Sequence, residues 1–516
     1  MLNISRNLLL VILSLLFTLS CGNEPLPEKN PNLIYILADD LGFGDISSYN
    51  PASKIITPNI DMMVSDGIMF SDAHSASAVC TPTRYGILTG RYSWRTGLKQ
   101  GVTWSWDQPL IETSRLTLSS MLKEKGYLTA CIGKWHLGLG WVMDEEKGVA
   151  DFSKPLTAGP NDYGFDYSYI IPASLDIPPY VYIEDLELTA MPDRLTSDTS
   201  KFGWWREGNT GADFEHQKVL PHLTDKAVEW VNKQAGKDKP FFLYFALPAP
   251  HTPILPTGDF IGISNTNPYG DFVVMVDHMV GRIMDALEKN MIEDNTIIIF
   301  TSDNGCSPEA DFDQLSALGH SPSFVFRGHK ADIFEGGHRI PFIVKWPEIV
   351  NSGRTSLKTV SLNDIMATMA DITSYEIPDD AAEDSYSLLP VLKGKPSDFR
   401  RESIIHHSVN GFFAIRKGKW KLNVCAGSGG WSYPTESEAE ELGLPWLQLY
   451  NLDNDPGEEN NIVADNPEIV KELKELLNEQ IFSGRSTPGH KQAYDTLRNW
   501  PENKLNYDTT SEGNKR

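Results

Sequence analysis

The chain has 516 residues, 41% of them hydrophobic, and a formal net charge of −24 at pH 7. That length sets a prior of about two or three domains, and the composition is that of a globular protein rather than a disordered or fibrous one. So large an acidic excess argues against nucleic acid as a partner, and an anionic substrate would need positive charge gathered locally at its site.

Arg6 supplies a short basic region, Leu8 to Ser20 is almost wholly apolar, and Cys21 follows. The run is too short to span a bilayer comfortably and reads as a signal peptide over residues 1–21, which predicts export to the periplasm or cell surface. Leu19-Ser20-Cys21 loosely resembles a bacterial lipobox, with Cys21 as the lipidated residue, although Thr18 stands where Leu is usual. An ordinary cleaved signal peptide is the alternative. Any membrane association is expected only through such an anchor.

Asn32–Ala38, Leu128–Ile132, Pro240–Ala246 and Thr296–Thr301 are short apolar runs bounded by turn residues, as in strands covered on both faces. Helical patterns lie between them at 116–125, 223–232 and 272–289. This alternation predicts an α/β fold, a mostly parallel sheet with helices on both faces. After about Gly394 the composition changes. Segments 403–407, 412–422 and 448–452 read as short antiparallel strands, followed by a helix over 467–481 and a polar tail expected to lie on the surface after about Pro488. The expected layout is a catalytic domain over 28–395 and a smaller α+β unit over 396–516.

In Cys80-Thr81-Pro82-Thr83-Arg84, Pro82 suits the first turn of a helix, and Gly90 suits its end. Cys80 would then sit at the helix N-terminus, where free N–H groups and the dipole favour negative charge, with Arg84 one turn on along the same side. A merely buried Cys at a helix start is the plain alternative. Asp39-Asp40 and Asp303-Asn304 each follow an apolar strand. In an open parallel sheet, ligand groups cluster at such carboxyl ends, and four hard oxygen donors suit Ca²⁺ or Mg²⁺. Taken alone, Asp-Asp after a strand is more often a turn or a cap. Lys134 and His136 are two apart and so share one side of an extended segment. His251 sits between Pro250 and Pro253, which stiffen its loop.

Together, SAVCTPTRYGILTGR and GYLTACIGKWHLG closely resemble the two signatures of type I sulfatases, and further motifs follow in the family order from about Asn32 to Asn461. The resemblance implies an alkaline-phosphatase-like fold and a sulfuric ester hydrolase whose Cys80 becomes formylglycine (3-oxoalanine). A formylglycine-generating or anaerobic sulfatase-maturing enzyme would be its partner. The aldehyde hydrate would attack sulfur. The resemblance favours one Ca²⁺ over Mg²⁺, held by Asp39, Asp40, Asp303, Asn304 and the side chain at position 80. It assigns Lys134 and Lys330 to the sulfate, His136 to proton acceptance from formylglycine, and His251 to protonation of the leaving alcohol. Glu335, Gly336, Gly337 and Arg339 of KADIFEGGHRIP would shape the loop below Lys330, and Leu449–Leu452 with Glu458 would be structural. The expected substrate is a sulfated carbohydrate, either an algal glycan such as ulvan or carrageenan or a glycosaminoglycan. A phosphate or phosphonate ester hydrolase of the same superfold, or a non-catalytic glycan-binding lipoprotein, are the rivals.

Several residues stay open. His74 could reach the substrate or pack the helix. Trp104, Trp106, Trp204, Trp205 and Arg206 are expected in loops, where rings either stack on sugars or pack. His406 and His407 are weak candidates for substrate contacts at the rim. With Cys21 lipidated and Cys80 modified, Cys131, Cys306 and Cys425 would leave at least one thiol unpaired, and no disulfide is predicted.

Overall fold

The computed structural model describes residues 29–144, 146 and 148–495. The expected signal peptide and Cys21 lie outside them. A ten-stranded sheet forms the centre. Its four middle strands are, in spatial order, Thr296–Ser302, Asn32–Asp39, Phe241–Pro250 and Leu128–Lys134, all parallel. Tyr167–Ile171 extends this parallel run on one side, while Phe342–Lys345 pairs antiparallel on the other. This is the mostly parallel α/β sheet that the apolar runs predict.

Alternation along the first strand explains the layers. Leu33, Tyr35 and Leu37 enter one core with residues of the Cys80–Thr89, Leu118–Glu124 and Ile365–Thr373 helices. Ile34, Ile36 and Ala38 enter a second core on the opposite face, with residues of the Val219–Gln234 and Pro268–Lys289 helices. Side chains of period two therefore feed two helix layers, and each fully buried Leu or Ile contributes about 1.5–3 kcal/mol.

The C-terminal region forms a separate four-stranded antiparallel sheet in the order Ile404–His407, Phe413–Lys417, Trp420–Asn423, Gln448–Asn451. The helix Pro467–Ser483 packs Val470, Leu473, Leu477 and Ile481 into a core with Ile405, Phe413, Ile415, Leu422 and Leu449. Tyr92 and Trp94 from the larger region join that core. The span 412–422, expected as one strand, is a hairpin that turns at Gly418, whose φ of 58° suits glycine. The tail up to Asp495 is pinned by ion pairs from its carboxylate to Arg91 and Arg115.

Two corrections concern the middle of the chain. Strand Phe241–Pro250 runs four residues beyond its expected end, through Pro248 and Pro250. A polar hairpin, Pro192–Asp198 with Trp205–Gly211, was not expected. Half of its fourteen residues are exposed and most are polar or glycine, so no apolar alternation marks it. Trp205 and Arg206 thus open a strand rather than lie in a loop.

Candidate active site

The carboxyl ends of the four middle strands lie side by side, and each delivers polar groups to one place. Asp39 ends the first strand and Lys134 ends Leu128–Lys134. His251 follows Phe241–Pro250, and Asp303-Asn304 follow Thr296–Ser302. Gly133 lets Lys134 reach this place: its φ is 117°, and a Cβ there would meet the Ala246 carbonyl oxygen at 1.9 Å. Above the strand ends, Cys80 is the first residue of the Cys80–Thr89 helix, which is buried throughout and ends at Gly90 in the left-handed region.

All ten expected residues are brought into one cluster, each no more than 6% exposed. Lys134 Nζ donates to Asp39 Oδ2 at 2.6 Å, and Lys330 Nζ donates to Asp40 Oδ2 at 2.8 Å. Arg84 donates twice to Asp303 Oδ2, at 3.1 and 2.7 Å, and once to the Lys134 carbonyl at 3.0 Å. Asn304 Nδ2 donates to Asp40 Oδ1 at 2.7 Å, and the Asp40 backbone N–H donates to Asp303 Oδ1 at 3.3 Å. One side-chain ligand atom from each of Asp39, Asp40, Cys80 and His251 lies within 4.8 Å of the others.

Electrostatics follow from this packing. Burial works to raise the Asp39 carboxyl, but the Lys134 ammonium, with His251 and Arg84, holds it far below the usual carboxylate range. Burial, reinforced by the nearby Asp39 charge, pushes Asp303 up to about 6. Burial also pushes the Cys80 thiol up to about 11, against the pull of Lys134 and Lys330. Such a thiol is neutral near pH 7, and the thiolate is the nucleophilic form, so unmodified Cys80 is poorly suited to attack.

The two histidines are held in defined states. His136 Nε2–H donates to the Thr103 carbonyl at 2.8 Å, which leaves the Nδ1 lone pair buried and without a partner. Burial, with the Lys134 and Arg84 charges, keeps this ring neutral. His251 Nδ1–H donates to the Thr252 carbonyl at 2.6 Å, so Nε2 faces the cluster, 3.5 Å from Asp40 Oδ2. Asp176 Oδ1 lies 4.0 Å from His251 Nδ1. Thr103 and Asp176 carry no motif signal, and sequence reasoning missed both.

The open candidates resolve differently. His74 is fully buried, with Nε2 2.9 Å from Asp72 Oδ1 and Nδ1 3.0 Å from His338 Nδ1; it packs rather than reaching a substrate. His406 and His407 are buried within the Ile404–His407 strand and are not rim residues. His406 stacks on His338 at 3.8 Å, and the His407 carbonyl accepts from Ala78 N and Ser77 Oγ, which braces the approach to Cys80. Cys80, Cys131, Cys306 and Cys425 are all buried free thiols.

Comparison with known proteins places the chain in a family. A family model described as Sulfatase matches residues 31–375, and one described as N-sulphoglucosamine sulphohydrolase, C-terminal matches residues 329–483. The N-acetylgalactosamine-6-O-sulfatase of Bacteroides thetaiotaomicron is 36% identical over 526 residues, covering 92% of this chain and 98% of that relative. The N-acetylgalactosamine-6-sulfatase of Canis lupus familiaris is 28% identical over 466 residues, covering 85% and 82%. A solved structure from Bacteroides thetaiotaomicron, BT33336S-sulf, described under the metabolism of multiple glycosaminoglycans, has a TM-score of 0.77 at 35% identity and covers 88% of this chain and 99% of that one. With its main family model spanning most of the chain and its site built from the motifs of that family, this chain belongs to the sulfatases and is a sulfuric ester hydrolase.

Proposed function

We propose that the chain removes sulfate from a sulfated carbohydrate, using Cys80 converted to formylglycine by a maturation enzyme and one Ca²⁺. The observation that carries this reading is the convergence of Arg84, Lys134 and Lys330 with three carboxylates and two histidines on the N-terminus of the Cys80 helix. In a chain of net charge −24, that is where an anion finds local positive charge.

The donor set fits a hard cation. Asp39 Oδ1 and Asn304 Oδ1 are buried without any hydrogen-bond donor, and buried acceptors left so are costly unless something else satisfies them. Asp39, Asp40, Asp303 and Asn304 would hold Ca²⁺, joined by the modified side chain at position 80. When bound, the ion supplies a Lewis acid for the sulfate oxygens, and formylglycine supplies a hydrated aldehyde as the oxygen nucleophile. The chain's own residues do the rest. Lys134 and Lys330 hold the anion. His136 Nδ1 accepts a proton beside position 80. His251 Nε2 donates one to the leaving alcohol, with Asp40 Oδ2 3.5 Å from that nitrogen and Asp176 Oδ1 4.0 Å from Nδ1.

The relatives named for N-acetylgalactosamine 6-sulfate favour a 6-O-sulfated amino sugar of a glycosaminoglycan over ulvan or carrageenan. The same reading takes the enzyme to be exported to the periplasm or cell surface, with or without lipid at Cys21. A screen of defined sulfated oligosaccharides, run beside 4-nitrophenyl sulfate and 4-nitrophenyl phosphate, tests the reading. Sulfated amino sugars should be desulfated fastest, and a preference for the phosphate would sink it.

A further inference from the structure

The sequence marks a group of exposed aromatics and one arginine that the reaction above does not use. Trp205 packs inward, stacked on the His216 ring at 4.0 Å, and Trp106 leans on Trp141 at 5.3 Å. Trp104, Trp106 and Trp204 are 49%, 42% and 38% exposed; what sets Trp104 and Trp204 apart is the Arg206 guanidinium, which lies over both rings, 5.4 and 4.7 Å from their centroids.

Each wall of this stack is tied to a site histidine. Trp104 follows Thr103, whose carbonyl accepts from His136 Nε2 at 2.8 Å and whose hydroxyl donates to the His136 carbonyl at 3.2 Å. Arg206 Nη1 donates to the Asp176 carbonyl at 3.1 Å and also to the Asp176 carboxylate, whose other oxygen lies 4.0 Å from His251. The stack therefore adjoins the side from which His251 would protonate the leaving sugar.

We propose that Trp104, Arg206 and Trp204 form a subsite for a second anionic group of the substrate, a carboxylate or a further sulfate on the sugar next to the one being desulfated. This rests on the reading of the chain as a carbohydrate sulfatase. Asp176 takes one amino group of Arg206, and the two indoles lie against the guanidinium. The Nε and Nη2 edge has no hydrogen-bond partner among the described residues. A planar fork with one edge held and the other free matches a carboxylate or sulfate in two-point contact. The exposed parts of the two indoles offer apolar surface beside the guanidinium for a pyranose. A substrate with a second negative charge approaches a protein of net charge −24, so it needs a second cation beyond those that take the sulfate.

The test compares kcat/KM for a sulfated disaccharide carrying a uronate, its carboxyl-reduced counterpart, and a counterpart with a second sulfate in place of the carboxylate. Wild-type enzyme should prefer the anionic forms by about tenfold, the factor that corresponds to 1.4 kcal/mol. The two anionic arms show which source is read. In Arg206→Ala the ratio should fall to near one, and Arg206→Lys should restore only part of it, because an ammonium neither stacks nor forks. If Arg206→Ala fails to fold, the wild-type ratio should still shrink toward one as NaCl rises to about 0.5 M. A wild-type ratio of one, or a ratio unaltered in Arg206→Ala, overturns the subsite. Failure of the wild type to desulfate any disaccharide while cleaving 4-nitrophenyl sulfate overturns the carbohydrate reading itself, and the subsite with it.

Discussion

Among the buried clusters of mixed charge in the described residues, two differ in a way that separates chemistry from architecture. The active-site cluster sets Asp39, Asp40 and Asp303 against Arg84, Lys134 and Lys330. The second sets Asp72, Glu335 and Glu458 against Arg339, Arg416 and Lys421. Both contain histidines, and both hold a group of His, Cys, Asp or Glu side chains close enough to share an ion. In the second cluster every carboxylate oxygen has a donor. Arg416 grips both oxygens of Asp72, Lys421 bridges Glu335 and Glu458, Arg339 takes the other Glu335 oxygen, and the Glu335 N–H takes the other Glu458 oxygen. In the active site Asp39 Oδ1 and Asn304 Oδ1 have none. Equal charge counts thus differ in closure: a closed set of pairs locks the KADIFEGGHRIP loop, and the other set leaves two buried acceptors open, as the proposed Ca²⁺ would require.

The comparison breaks first at Cys80. Cys80→Ala should lower turnover by roughly 10⁶-fold, the scale on which a nucleophile is lost, while leaving the melting temperature close to that of the wild type. Mass spectrometry of the peptide containing position 80 should show formylglycine after expression with a maturation enzyme. Full activity in the alanine variant would end the mechanism.

The next effect is on the metal. Chelation should inactivate the enzyme and Ca²⁺ should restore it. Because an ion that binds only the folded state stabilises it, Ca²⁺ at about 100 times its Kd should add about 2.7 kcal/mol to unfolding, read as a rise in Tm. Asp303→Ala should abolish both the activity and the Ca²⁺-dependent rise. A chelated enzyme that keeps full turnover would show that the orphaned oxygens serve something else.

His251 comes third. His251→Ala should cost about 10²–10⁴-fold on a sugar sulfate and clearly less on 4-nitrophenyl sulfate, whose phenol leaves without needing a proton. Lys330→Ala should weaken both substrates alike, since it touches the sulfate they share. Equal losses on the two substrates in His251→Ala would reduce that residue to an electrostatic role.

What was legible in the sequence follows from this physics. The four middle strands are covered on both faces, so their apolar runs stand out, and the residues just past their ends are the site. Cys80, Arg84 and Lys330 lie in contiguous motifs and could be numbered in advance. Asp176 could not. It is a lone carboxylate in an irregular segment, brought to His251 only by the fold. The Pro192–Asp198 hairpin carries no buried stripe, so nothing in its pattern announces it. His74 and His406 show the opposite error. His74, just upstream of Cys80, and His406, expected near the active-site rim, were open as substrate contacts, yet burial among Asp72, His338 and Arg416 makes them part of the frame.

The smallest expected change in turnover, and the sharpest contrast with Cys80, comes from Lys421. Its ammonium is fully buried and lies 3.0 Å from both Glu335 and Glu458 and 3.1 Å from His338 Nε2. Lys421→Met keeps much of the volume but leaves the buried Glu335 and Glu458 carboxylates without the ammonium they share. Removing one partner of a buried ion pair costs about 3–5 kcal/mol, because the charge left behind is uncompensated. That loss should appear as a lowered Tm and a reduced yield of folded protein. None of the expected site residues bonds directly to Lys421, so kcat per folded molecule should change by less than about threefold, within the range of indirect effects. Adding Glu335→Gln to Lys421→Met should recover part of the stability, since it removes one of the stranded charges. A Lys421→Met variant that melts like the wild type but turns over a hundredfold more slowly would erase the distinction between the two clusters and place Lys421 in the chemistry.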